Sequence, residues 1–378
     1  MHIGFIEDTP LRGGTQIWVT EAVKKFIEAG EEVSVIAPAD TFVAQTCAEH
    51  GARVTTYDFD DIAVNPAKYE EAWIAGLADC DVAITTVHPP RNSFHCVGFG
   101  AKCIKEGKLK TIMVPKTGSI VPWYKREYYM PCPDVRTHVI CITNFTRKYL
   151  IDEYKIPAED ISLVYQGTEV NRFTSSETSK AEALKRYPLK ANSNPVLGSI
   201  GAMENRKGQI VILQAIKLLL DKGKLPNIHA IFVGEGPDEL MLKAVTKAYK
   251  LEEHVSFFPF TSEPNYVFDR IDILAFPSFY KEGLPNVLLE AMSMKVPVIS
   301  TDITGIPEVV FNGETGFLTD VGNVEQFAEA IEKIAKNPQT CVEMGEKART
   351  LMDNKMNKKY QFDAFLKCFQ QLIKGKQQ

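Results

Sequence analysis

Two glutamates, Glu282 and Glu290, stand eight positions apart in "FYKEGLPNVLLEAM" (279–292). A Gly-Leu-Pro turn and a nearly unbroken apolar run lie between them. A carboxylate among apolar side chains is unfavourable unless something neutralises it, so each glutamate must hold a partner. Two adjacent cations, Arg206 and Lys207, stand in "GSIGAMENRKGQ" (198–209), between a strand signal and a helix signal. A guanidinium can grip a phosphate in bidentate fashion and an ammonium acts as a point charge, so the pair suits a pyrophosphate. The bland reading is a solvated helix start, although a first helical turn ordinarily prefers acids.

Other stretches could bind a ligand. Gly234 and Gly236 in "FVGEGPDE" sit at a strand end, where glycine permits close approach to the backbone. Ser278 ends "FPS" on another strand. Pro285 opens a helix over 285–294, and the backbone N–H groups from Gly283 through Leu284, Asn286, Val287 and Leu288 are expected to face an anion. Gly13-Gly14 follows the first strand and precedes a helix, either as an anion-binding turn or as a plain one. It does not spell GxGxxG, and no acidic residue ends the second strand "SVIAP", so a dinucleotide site is not expected. His88 sits at a strand end in "TTVHPPRNSFHC", with His95 and Cys96 after it. That spacing fits no common zinc pattern, so His88 reads as a loop histidine beside a site rather than a metal ligand. "DFD" and "DCD" (58–60 and 79–81) read as a helix start and a strand start, not as metal signatures. "VPWYKREYYMP" carries Trp123, Tyr124 and Arg126, whose faces and charge suit a sugar acceptor or a membrane surface, or else belong to an ordinary packed loop.

These residues need a frame. Strand signals ("HIGFI", "EVSVIAP", "ARVTTYD", "CDVAITTV", "LKTIMVP", "THVICIT") alternate with helical stretches through the first half. The first helix spans "TQIWVTEAVKKFIEA", with Thr15 as N-cap and Gly30 as C-cap. A polar stretch over 172–195 reads as a connection with one short helix and a hinge. The alternation then restarts with "VLGSIGA", "HAIFVGEG", "VSFFPF", "DILAFPS" and "PVISTD". Such repetition predicts α/β architecture with two parallel-sheet, Rossmann-like domains in tandem. Ligands are expected at the carboxyl ends of the strands, in a cleft between the domains. The expected spans are 1–172, 173–357 and a last helix in 358–378 that returns to the first domain, with closure on the ligand.

Composition narrows the class. At 378 residues the chain is too long for one ordinary core. Its net charge of −5 lacks the basic excess of a general nucleic-acid binder. No apolar run approaches a membrane span, and the N-terminus reads directly as a strand rather than a leader. Eight scattered cysteines, with no CxxC, read as free thiols of a reducing cytoplasm.

With both half-sites in view, the chain resembles the retaining glycosyltransferases of the GT-B fold, in particular glycosyltransferase family 4. The resemblance is strongest over "PVLGSIGAMENRKGQ", "HAIFVGEGPDE" and the run from "DILAFPSFYKEGLPNVLLEAM" through "GIPE" to "NGETGF". The first half matches more weakly, in "CITNFTRKYLIDEYKIPAEDISLVYQGTEVNRF". The resemblance implies a UDP- or GDP-sugar donor, a saccharide or lipid-linked acceptor, no cofactor and no metal, and work in the cytoplasm, with peripheral membrane contact as an open option. It implies that Glu290 takes the ribose hydroxyls and Glu282 the donor sugar. Backbone around Leu284–Leu288 would take sugar or phosphate, and groups near "VGEGP" and Phe260 the base. Arg206 and Lys207 would neutralise the leaving diphosphate from a position opposite the glutamates. Three residues depart from the family pattern: Ala202 where an arginine is usual, Lys116 in place of a first-domain histidine, and Gln166 in place of an asparagine. Lys116 is then expected to stabilise charge near the donor sugar. Two alternatives stay open: a GT-B nucleotide-sugar epimerase, and a sugar-nucleotide-binding subunit with little or no turnover.

Overall fold

A computed structural model describes residues 1–87, 96–118, 126–135 and 137–376. Two compact units emerge: Met1–Tyr165 with Gln361–Gln378, and Gln166–Tyr360. Each is a GT-B-type Rossmann-like half built on one parallel sheet. In the first unit the strands are β1 (His2–Ile6), β2 (Glu32–Pro38), β3 (Arg53–Tyr57), β4 (Val82–Val87), β5 (Ile112–Thr117), β6 (Val139–Cys141) and β7 (Ile161–Leu163). They lie in the order β3-β2-β1-β4-β5-β6-β7. In the second they are β8 (Val196–Ile200), β9 (His229–Val233), β10 (Val255–Phe258), β11 (Ile273–Phe276), β12 (Val298–Thr301) and β13 (Gly316–Thr319), in the order β10-β9-β8-β11-β12-β13. Both sheets therefore reverse direction of growth beside their first strand, between β1 and β4 and between β8 and β11. Such a switch point leaves a crevice outside the carboxyl ends of the strands.

The central strands are buried on both faces, as parallel strands under helices must be. β1, β4 and β9 are buried at every position. In the first unit Ile3, Phe5, Ile84 and Val114 share one core with Trp18, Val19 and Phe26 of the helix Gly14–Glu28. Phe362, Phe365 and Phe369 from the last helix, Lys358–Lys376, complete it, each ring meeting Phe26 at 5.8–6.4 Å. Fully burying one phenylalanine contributes about 2–3 kcal/mol, so this aromatic contact ties the last helix to the first unit's core. The second core joins Leu197, Phe232, Ile273 and Ile299 to Ile212 and Ile216 of the helix Gln209–Asp221 and to Phe327 and Ile331 of the helix Val324–Lys336.

Several sequence expectations change in detail. The first helix begins at Gly14 with Gly13 as its cap, two residues earlier than a Thr15 cap allows, and no side chain caps it. The polar stretch 172–195 is packed into the second unit rather than linking two bodies. Its helix Glu177–Arg186 is closed by a Ser176–Ser179 capping box. Arg270 Nε donates to Tyr187 O at 3.0 Å, and Phe173 meets the Phe268 ring at 6.2 Å. The unit boundary falls at 165/166 for the same reason, because Thr168 pairs with Asn357 inside the second unit. No helix among the described residues is long and apolar enough to cross a membrane.

A histidine–serine pair recurs at the amino edge of the sheets: His2 Nε2 with Ser34 Oγ (2.8 Å), His138 Nε2 with Ser162 Oγ (2.8 Å) and His229 Nε2 with Ser256 Oγ (2.9 Å). Burial, helped by nearby His254 and Arg270, pushes His229 from 6.5 down to about 4. The unfolded chain then binds the extra proton first, so this group's stabilisation is complete above pH 6.5 and is lost as pH falls towards 4. The slope approaches about 1.4 kcal/mol per pH unit. Thermal melts of His229→Gln between pH 7 and 4 should fall less steeply than those of the parent chain. Parallel curves would show that His229 does not carry this dependence.

Candidate functional site

The second unit gathers its chemistry at the β8/β11 switch point. After β8 the chain runs through a 3-10 turn, Asn205–Lys207, into the helix Gln209–Asp221. After β11 it runs through Ser278 and Glu282 to the helix Asn286–Ser293. Backbone ties the two stretches together, since Phe279 N–H donates to Arg206 O at 2.8 Å. Thr301 Oγ1 on β12 donates to Ser278 O at 2.6 Å and fixes the end of β11 from its other side. Lys281 adopts φ 62° immediately before Glu282. That left-handed turn lets the chain double back and send the next side chain inward.

Glu282 is 6% exposed, and one of its oxygens takes three donors. Oε1 accepts from Lys207 Nζ at 2.8 Å, Ser278 Oγ at 2.9 Å and Arg206 Nη1 at 3.0 Å. The other side of the guanidinium meets Glu204 Oε1 at 2.6 Å through Nη2. Lys207 also lies over the Phe276 ring, 4.8 Å from its centre. Burial pushes the Lys207 amine below the ordinary lysine range, while Glu282 pulls it back up. The expectation that the two cations stand opposite the glutamates is therefore corrected for Glu282. The buried carboxylate and both partly buried cations form one cluster within one unit. Two adjacent cations in a half-desolvated turn would repel each other without that oxygen between them.

The remaining candidates divide. Gly234 and Gly236 were expected to admit a ligand, yet what approaches them is the chain itself. A Cβ at Gly234 would fall 2.1 Å from Gly201 O and one at Gly236 2.2 Å from Met203 O. These glycines let the ends of β8 and β9 pack, which positions the turn that carries Arg206. Leu288 N–H is spent on Pro285 O at 3.2 Å rather than pointing outward. Gln166 donates from Nε2 to Leu284 O at 3.3 Å and also meets Asn286 Oδ1, so it braces the start of the helix that carries Glu290. Glu290 is partly buried on that helix, and Phe260 is 72% exposed. Gly283, Pro285 and Val287 are also partly buried there. In the first unit Gly13 and Gly14 form the helix start, and a Cβ at Gly14 would meet nothing within 4 Å. Arg126 is exposed in the short turn Arg126–Tyr128. Lys116 is buried at the end of β5. His88, Trp123 and Tyr124 lie outside the described residues. Sequence reading passed over Glu204, which no motif marks, and Thr301, whose role depends on which strand lies beside β11.

Replacing Glu282 leaves two cations short of a counter-charge. Glu282→Gln should lower the stability of the second unit by about 2–4 kcal/mol in urea unfolding. Adding Lys207→Met should restore part of that loss. Strictly additive losses would contradict the shared-oxygen cluster. Lys281→Gly should gain up to about 1 kcal/mol by relieving the left-handed residue.

Comparison with known proteins bears on the fold and the second unit's sequence. Residues 180–351 match the family described as glycosyl transferases group 1. A capsular polysaccharide biosynthesis glycosyltransferase, CapM, of Staphylococcus aureus is 26% identical over 223 residues, 58% of this chain and 58% of the relative. Two other glycosyltransferases are matched over only 48% and 39% of their own lengths. A D-inositol 3-phosphate glycosyltransferase of Pseudarthrobacter chlorophenolicus is 22% identical over 90% of this chain and 86% of its own. The crystal structure of Anabaena Alr3699/HepE in complex with UDP superposes with a TM-score of 0.84 at 17% identity, covering 98% of this chain and 100% of that one. That likeness shows the GT-B fold. The matched span carries the Arg206–Lys207–Glu282 cluster, so the domain that holds this cluster is the part of the chain similar to the glycosyl transferases group 1 family.

Proposed function

We propose that the chain is a retaining, metal-independent glycosyltransferase of family 4. It moves a sugar from a UDP- or GDP-sugar to a hydroxyl of a saccharide or lipid-linked acceptor, in the making of a surface polysaccharide or glycoconjugate. It would act in the cytoplasm or at the inner face of the membrane. The observation that carries this reading is the pair Arg206 and Lys207 converging on one buried carboxylate at a switch point. The relative whose name speaks of capsular polysaccharide and the neighbour solved with UDP support it.

The chemistry follows from the cluster. A donor diphosphate offers Arg206 and Lys207 more negative oxygens than Glu282 does, and takes over their N–H groups. Glu282 is released to accept from hydroxyls of the sugar, and Glu290 from those of the ribose. When the bond between the anomeric carbon and the diphosphate oxygen breaks, charge builds on the diphosphate. Preorganised cations in a partly dry site stabilise that charge far better than water does. The acceptor oxygen bonds to the anomeric carbon on the face the diphosphate leaves. Its proton passes to a leaving phosphate oxygen, so configuration is retained.

Ala202 favours a second reading, a subunit that binds the donor without turning it over, since the residue supplies no charge where the family resemblance leads one to expect an arginine. Release of nucleoside diphosphate from UDP- and GDP-sugars, with and without acceptor pools, separates the two. Glu290→Ala should raise the donor dissociation constant. Lys207→Ala should lower turnover of bound donor more than binding. Equal losses of binding with unchanged turnover would contradict these roles, and tight donor binding with no product from any acceptor would favour the second reading.

A further inference from the structure

Two lysines lie beyond or at the carboxyl ends of the strands, Lys207 partly buried in the second unit and Lys116 buried in the first. Lys207 has Glu282. Lys116, 5% exposed, has no hydrogen-bond or ion-pair partner among the described residues, and its Nζ rests 4.0 Å from the centre of the Trp18 ring. No carboxylate acts on it, and burial alone pushes its amine down to about 8. Glu7, at the end of β1, is engaged elsewhere, accepting from Gln16 Nε2 at 3.2 Å.

Lys116 is not alone. Thr86 on β4 is its register partner, so both side chains leave the same face of the sheet, and Thr86 Oγ1 is buried without a partner. Trp18 Nε1 is buried and unpartnered as well. The Trp18 ring meets Phe365 at 5.4 Å, and Gln361, one turn earlier on that helix, has both amide atoms buried and unpartnered. All four side chains are more than nine-tenths buried. An ammonium and an indole N–H can only donate. Each buried polar group left without a partner costs about 1–3 kcal/mol; the Thr86 hydroxyl and the Gln361 amide can accept, yet neither is hydrogen-bonded to Lys116 or Trp18, so these two donors still lack an acceptor. The helix that carries Trp18 begins one turn earlier, at Gly14, with no acid in its first turn, which also favours an anion.

We propose that the first unit seats an acidic group of its saccharide, a carboxylate or a phosphate, on Lys116, with Thr86 and Trp18 donating beside it. The transferase proposed above, on which this rests, is thereby selective for acid-bearing sugars. The ammonium gains the counter-charge that no described residue supplies, and a neutral sugar does not provide one.

Calorimetric titration of the full chain tests this with glucuronate, galacturonate, glucose 6-phosphate, inorganic phosphate, glucose and galactose. An acidic sugar should bind at least about tenfold more tightly than its neutral counterpart. That preference should vanish in Lys116→Met and shrink in Thr86→Val, which serves if the first variant does not fold. Preference for the uronates assigns a carboxylate, and preference for glucose 6-phosphate assigns a phosphate. Three results would overturn the proposal: equal binding of acidic and neutral sugars, as when the donors hold only water; a preference that survives both variants; or inorganic phosphate binding as well as the sugar phosphate. UDP and GDP titrated in parallel report on the second unit. Failure of nucleotide binding sinks the transferase reading alone, whereas failure of the acid preference with nucleotide binding intact sinks only this inference.

Discussion

One carboxylate oxygen organises the second unit. Glu282 Oε1 holds Arg206, Lys207 and Ser278 at hydrogen-bond distance in a place where water scarcely reaches. Without it, two neighbouring cations would face each other in a partly desolvated turn. With it, they are aimed, neutralised and kept for a better anion. The rest of the unit serves that geometry. Gly234 and Gly236 let two strand ends close on each other, Thr301 pins the end of β11, and Lys281 turns the chain so that Glu282 points inward. An ion pair so buried adds little net stability compared with apolar packing. In the transferase proposed above, its use is to hold the cations ready for a diphosphate.

Much of the frame could be read from the sequence, for a simple reason. Parallel strands buried on both faces are short apolar runs, and "HIGFI", "VLGSIGA" and "HAIFVGEG" announce themselves. The order β3-β2-β1-β4 and its counterpart β10-β9-β8-β11 then place Arg206, Lys207 and Glu282 at a strand-end crevice. Weaker elements escaped. β7 and β13 are short edge strands with little apolar signal, and the helix Pro338–Asn354 is mostly polar. The stretch 172–195 looked like a linker because it is polar. Its docking depends on Phe173, Tyr187 and their partners near 268–270, which no local pattern reveals.

At the site, residue types were legible but distances were not. The two glutamates and two cations stand out by chemistry. That one oxygen serves both cations depends on the turn at Lys281 and on the Phe279–Arg206 backbone bond, which are tertiary facts. Gly234 and Gly236 show the reverse error, because a glycine that admits a ligand and one that admits a neighbouring strand look alike in sequence. Lys116 gains meaning only once Thr86 and Trp18 are seen around it with no hydrogen bond joining them. The two units thus repeat one sheet order with a different balance at their strand ends: a lysine paired with a carboxylate in one, and a buried lysine with no hydrogen-bond or ion-pair partner among the described residues in the other.

The central claim is that a diphosphate displaces Glu282 from the two cations. Calorimetric comparison of UDP with UMP, and of GDP with GMP, on the parent chain and on Glu282→Gln tests it most directly. The account predicts that diphosphates bind the parent far more tightly than monophosphates. It also predicts that Glu282→Gln tightens diphosphate binding, because the internal competitor has lost its charge. Equal affinity for mono- and diphosphates, or diphosphate binding weakened by Glu282→Gln in a folded protein, would contradict it.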